Sequence, residues 1–209
     1  MGLSPITIIE DQDYALPVLG TVLYFVVFQL FMVNQVKGRM DAGRGGDPTK
    51  ANRFDYSNKH WEMADRSFLN FLEQTPAFMS LMWLYALFCN AESAGRSCFV
   101  YTAARACFPI FWSMGGRWNV LVELSTQPCY AVINYYNVSL LYLLFTGDQL
   151  RSSLPSNPVV FLFAVAILHI ICTVVVFLPG FASAALLAKG FSPASDKEGA
   201  DDEDCESEE

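Results

Sequence analysis

The sequence is poor in the groups from which metal and polynucleotide sites are built. Of 209 residues only two are histidine, His60 and His169, and the six cysteines lack the spacing of metal ligands. No metal site is expected. The cysteines fall mostly inside apolar runs and read as buried thiols, although Cys89 and Cys98 stand close enough across a short connection to meet. Charged residues make up 16% of the chain, and no basic patch of the kind that binds phosphate backbones is present, which argues against nucleic acid as a partner. The first fourteen residues carry Glu10, Asp11 and Asp13 but no Lys or Arg, so the basic region of a signal peptide is missing. Ile6 occupies the position where myristoylation requires Ser or Thr.

Apolar side chains are abundant: 53% of residues are hydrophobic and 17 are Phe. The net charge of −8 is a local property, because residues 195–209 hold nine acidic side chains and one Lys, leaving the rest neutral. That tail has too few apolar residues to fold. Before it come runs of about the ~20 apolar residues needed to cross a bilayer. They cover 15–36, 66–89, 98–112, 118–145 and 159–178, the third being short and containing Arg105. Pro179-Gly180 is expected to break the last run, which 182–188 extends. Residues 90–97 and 113–117 read as turns, and 37–65 as a polar loop whose His60-Trp61 anchors the membrane interface. The organisation expected is therefore a short segment 1–14, a transmembrane bundle 15–146, a loop with one further helix 147–190, and an acidic tail 191–209.

Five spans put the chain ends on opposite sides. The first loop holds Lys37, Arg39, Arg44, Lys50, Arg53 and Lys59, which marks it as cytoplasmic and predicts a cytoplasmic acidic tail.

The chemistry concentrates where the second run begins. Arg66, Asn70 and Glu73 stand at i, i+4 and i+7, so a helix presents them on one face. Ionisable groups at the mouth of a membrane helix are costly unless they pair, face the bundle or line a wet cavity. Two readings follow: a polar binding site between helices, or a structural network in which Arg66 pairs with Glu73 and Asn70 bridges helices. Arg105, Phe108 and Trp112 share a face of the third run, and Arg105 either serves the same site or pairs with Glu73. His169, alone in its span, reads as a hydrogen-bonded packing residue.

The pattern Arg66-x-x-x-Asn70-x-x-Glu73 before an apolar helix resembles the signature of the MAPEG family, membrane-associated proteins in eicosanoid and glutathione metabolism. Arg105 before Phe108, and Pro128-Cys129-Tyr130 in the fourth run, are similar to that family's third and fourth helices. The resemblance implies an all-α polytopic membrane protein, a four-helix MAPEG-like bundle with an added fifth transmembrane helix. It also implies a homotrimer with sites between protomers. Glutathione would be the co-substrate, held by Arg39, Arg66, Asn70, Glu73, Arg105 and Tyr130, with a lipophilic electrophile or lipid as the second partner. The membrane implied is an internal one, the endoplasmic reticulum or another organelle. Two positions depart from the family pattern. Phe108 stands where one branch has Tyr, and Ser125 stands where that branch has its thiol-activating Arg. Ser125 and the nearby Arg117 are the candidates left for catalysis. A non-catalytic relative that binds lipid, scaffolds a partner or serves as an accessory subunit is the alternative.

Overall fold

A computed structural model describes residues 4–43, 47, 49, 52, 54–115 and 119–190. Arg44, Lys50, Arg53, Arg117 and the acidic tail lie outside the described residues. Among the described residues the fold is entirely helical: α1 Ala15–Ala42, α2 Lys59–Phe88, α3 Ala91–Gly115, α4 Val120–Thr146, the single turn α5 Leu150–Ser153, and α6 Pro158–Gly190. The chain forms two compact units, Met1–His169 and Ile170–Glu209. The architecture is that of an all-α polytopic membrane protein, a four-helix bundle followed by a further long apolar helix. By length and composition α1 and residues 158–187 of α6 are each able to cross a membrane.

The pattern of burial is that of a bundle in hydrocarbon. Helix α1 turns Val18, Leu19, Val22, Phe25, Val26 and Leu30 outward. It buries Pro17, Gly20, Tyr24, Phe31 and Gly38, a stripe of nearly heptad spacing. Lipid is as apolar as leucine, so helices associate through close packing and polar contacts rather than by hiding aliphatic area. Glycine supplies the closeness. A Cβ on Gly95 of α3 would lie 2.5 Å from the Leu16 Cβ and 2.6 Å from its carbonyl carbon, and one on Gly38 would lie 3.2 Å from the His60 carbonyl oxygen of α2.

Aromatic rings fill the interior. Phe78 stacks on Tyr101 with centroids 3.6 Å apart, and Tyr24 packs against Phe71 and Phe78. Each buried phenol is bonded: Tyr24 to Thr75 Oγ1 at 2.6 Å, Tyr101 to Gln74 Oε1 at 2.9 Å, Tyr136 to the Ala94 carbonyl at 3.1 Å, and Tyr85 to Tyr135 at 3.0 Å. The phenols thereby avoid the cost of an unmade bond in a low dielectric.

Several sequence expectations are corrected. The loop expected at 37–65 is shorter, because α1 continues to Ala42 and α2 already begins at Lys59. Asn58 caps α2 by accepting from the Trp61 amide at 3.0 Å. Residues 90–97 are not a turn: Asn90 accepts from the Ser93 amide, and α3 starts at Ala91 and runs 25 residues. The third helix is therefore not short. Pro179-Gly180 does not interrupt α6, which continues through it to Gly190. Trp61 is not an exposed interfacial anchor but is 2% exposed, covered by the bundle. Cys89 and Cys98, in contrast, agree with the reading as buried thiols: both are buried and free.

Residues 4–14 lie across the end of the bundle where α2 and α4 finish. The Ser4 amide donates to the Leu144 carbonyl and the Ile9 amide to the Leu87 carbonyl. Gln12 donates to the Ala86 carbonyl at 3.3 Å and accepts from the Ala91 amide at 2.6 Å. Helix ends leave such groups without intrahelical partners, and this strap satisfies them.

Candidate functional site

The opposite end is built differently. Arg66, Asn70 and Glu73 of α2, with Glu62 and Leu69, form one wall of a cleft of about 330 Å³, and Phe108 and Trp112 of α3 form the other. The helical spacing brings the three polar side chains together as the sequence suggests, and the two aromatic rings stack with centroids 5.9 Å apart. Arg66 and Glu73 are exposed, and no ion pair joins them among the described residues.

Arg105 sits behind this wall. It is 1% exposed, lies 5.8 Å from the Tyr101 ring and 5.7 Å from the Phe108 ring, and donates from Nη1 to the Asn70 Oδ1 at 2.5 Å. The anticipated partner, Glu73, is therefore replaced by a neutral one. Asn70 bridges α2 and α3, and Glu73 faces the cleft. The Arg105 Nε and Nη2 have no acceptor among the described residues, and the same is true of the Gln74 Nε2. The guanidinium is thus buried against two aromatic rings, with one neutral hydrogen-bond partner and a strong donor capacity that is only partly used.

Other expected site residues lie elsewhere. Arg39, in the last turn of α1, lines a separate cleft of about 270 Å³ with Gln35, Val36, Trp61, Phe68, Leu69 and Leu72. Leu69 is common to both clefts. Tyr130 is exposed on α4 and lines neither. Ser125 is fully buried and donates its hydroxyl to the Val122 carbonyl of its own helix at 2.8 Å. His169 packs as expected, between Asn134 Nδ2 at 2.9 Å and Gln127 Oε1 at 2.8 Å. That pairing makes Nδ1 the acceptor and Nε2 the donor, the neutral imidazole.

One functional-looking group had no reading in the sequence. Asp65 is 1% exposed and accepts from Gln35 Nε2 at 2.8 Å and from the Tyr56 hydroxyl at 2.7 Å. Its signal was present in the period: one residue before Arg66, it must point about 100° away, toward α1 and not into the cleft.

Residues 14–121, which span α1, α2, α3 and the start of α4, match the MAPEG family. The chain belongs to the MAPEG family. No curated protein and no solved structure matches it. Membership places this membrane protein among the proteins of eicosanoid and glutathione metabolism and leaves the reaction open. The Arg66–Asn70–Glu73 wall and Arg105 all fall within the matched residues, whereas Tyr130 falls beyond them.

Proposed function

We propose that the protein is a glutathione-dependent transferase or peroxidase that acts on lipophilic electrophiles in an internal membrane. The observation that carries this reading is Arg105, buried behind Asn70 with two N–H groups unused and a polar cleft in front of it. Glutathione offers two carboxylates, an ammonium group, two peptide units and a thiol. Arg66 suits a carboxylate and Glu73 the ammonium, while Asn70, held from behind by Arg105, suits the peptide. A free thiol has a pKa of about 8.5, and a nearby cation favours its thiolate. In conjugation the thiolate forms a carbon–sulfur bond with the electrophile, which gives up its leaving group or opens its ring. The thiol proton passes to water.

Arg39 belongs to the same reading through assembly. It stands across Leu69 from the Arg66 cleft, so one protomer presents two partial sites. A homotrimer in which the Arg39 edge of one subunit meets the Arg66 edge of the next would complete each site. The six basic residues between Lys37 and Lys59, in the last turns of α1, the connector and the first residue of α2, favour a cytoplasmic face for this end and a cytoplasmic acidic tail.

A second, non-catalytic reading rests on two side chains. Phe108 carries no hydroxyl to offer the thiol, and the Ser125 hydroxyl is committed to the backbone. In that case the cleft binds a lipid or scaffolds a partner. A thermal denaturation series separates the two. Glutathione at 100 times its dissociation constant adds about 2.7 kcal/mol to a folded state that binds it. No rise in midpoint at millimolar glutathione, in a preparation shown to be trimeric, rejects the transferase reading.

A further inference from the structure

We infer that Tyr56 and Asp65 are positioning residues that hold Arg66 at the mouth of the cleft. Tyr56 comes from the connector before α2, and its ring lies under the Arg66 guanidinium, 5.2 Å from centroid to Cζ. The ring does not rest there by one contact. Its hydroxyl donates to Asp65 Oδ2 at 2.7 Å, and its face stacks on Trp61 with centroids 6.5 Å apart. Asp65 in turn is buried and held from the other side by Gln35 of α1. Gln35 lines the Arg39 cleft, so Asp65 ties both clefts to the connector.

The consequence is entropic. A free arginine side chain gives up rotamer freedom when a ligand fixes it, and a ring beneath the guanidinium removes part of that freedom beforehand. The carboxylate of Asp65 is too deep to meet the ligand and acts only through Tyr56. The affinity arm of the test rests on the glutathione reading; the reactivity arm does not.

Four forms of the full-length protein are compared: wild type, Tyr56→Leu, Arg66→Ala and the double variant, with Tyr56→Phe as the variant that keeps the ring. Tyr56→Leu is expected to weaken glutathione binding about fivefold, the size of an exposed cation–π contact, and to have no further effect when Arg66 is already Ala. Tyr56→Phe falls between wild type and Tyr56→Leu. In ligand-free protein, phenylglyoxal modifies Arg66 faster in Tyr56→Leu than in wild type, read on the Arg66 peptide by mass spectrometry. An equal loss of affinity in both Arg66 backgrounds overturns the inference, as does an unchanged rate of Arg66 modification. If wild type and Arg66→Ala bind glutathione equally, the glutathione reading of Arg66 is wrong, and the modification rates still decide whether Tyr56 holds it.

Discussion

The two ends of the bundle treat their polar groups in opposite ways. At the end covered by residues 4–14, the Ala86, Leu87 and Leu144 carbonyls each receive a donor, and Tyr85, Tyr135 and Tyr136 are all bonded. Trp61 Nε1 near the other end, and Gln74 Nε2, Thr102 Oγ1 and two nitrogens of Arg105 at the middle of α2 and α3, are buried without a partner among the described residues. Each unmade buried bond costs about 1–3 kcal/mol. One end has its polar groups paired, and the other part of the bundle keeps unpaired ones behind the cleft. The contrast is one of energetics, and it sets the strap end apart from the interior that backs the Arg66–Asn70–Glu73 cleft.

Four substitutions would break or sharpen this contrast, with the largest expected effect on stability first and two of similar size before one with none. Gly95→Leu should be the most damaging, because any Cβ there meets the Leu16 backbone at 2.6 Å and neither helix can yield cheaply. A loss of about 3 kcal/mol or more is expected in denaturant titrations in detergent, at the upper end of overpacking costs. Survival of the native midpoint would mean that α1 and α3 do not cross this closely.

Next comes Gln12→Ala, which strips one donor from the Ala86 carbonyl and one acceptor from the Ala91 amide. About 1–3 kcal/mol should be lost, with glutathione affinity intact, because the strap lies at the end whose polar groups are paired. Hydrogen exchange at the Ala91 amide is the local readout. Unaltered protection there would show that the strap does not cap α3.

Asn70→Ala removes the partner of a buried charge. A hydrogen bond to a charged group is worth about 1.5–3 kcal/mol, and its loss should appear in both stability and glutathione affinity. A variant that binds normally would mean that Asn70 serves packing alone.

Arg105→Met should leave stability unchanged or slightly raised, since it replaces an incompletely bonded buried cation by an apolar chain of similar length. Glutathione affinity should nevertheless fall at least tenfold. If stability collapses instead, Arg105 is part of the frame and the contrast between the two ends is lost.

Much of the site was legible because helices repeat. Arg66, Asn70 and Glu73 meet on one wall for the same reason that i, i+4 and i+7 share a face, and Phe108 with Trp112 at i and i+4 forms the opposite wall. The partner of Arg105 was not legible. Glu73 has the charge to attract it, but helix α3 approaches α2 so that the half-buried Asn70 is reached and the exposed Glu73 is not. Tyr56 and Asp65 escaped notice for a related reason: nine residues apart and in different elements, they are joined only by how the connector folds back.

By itself the sequence determined that this chain is an all-helical membrane protein with one polar face at the mouth of its second helix. Those properties follow from apolar run length and the 3.6-residue period, which are local. Tertiary structure alone decided that Trp61 is covered, that residues 4–14 cap one end, and that Arg39 and Arg66 occupy separate clefts on either side of Leu69. These depend on where neighbouring helices cross, and crossing is set by close contacts such as those at Gly38 and Gly95, between residues far apart in the chain.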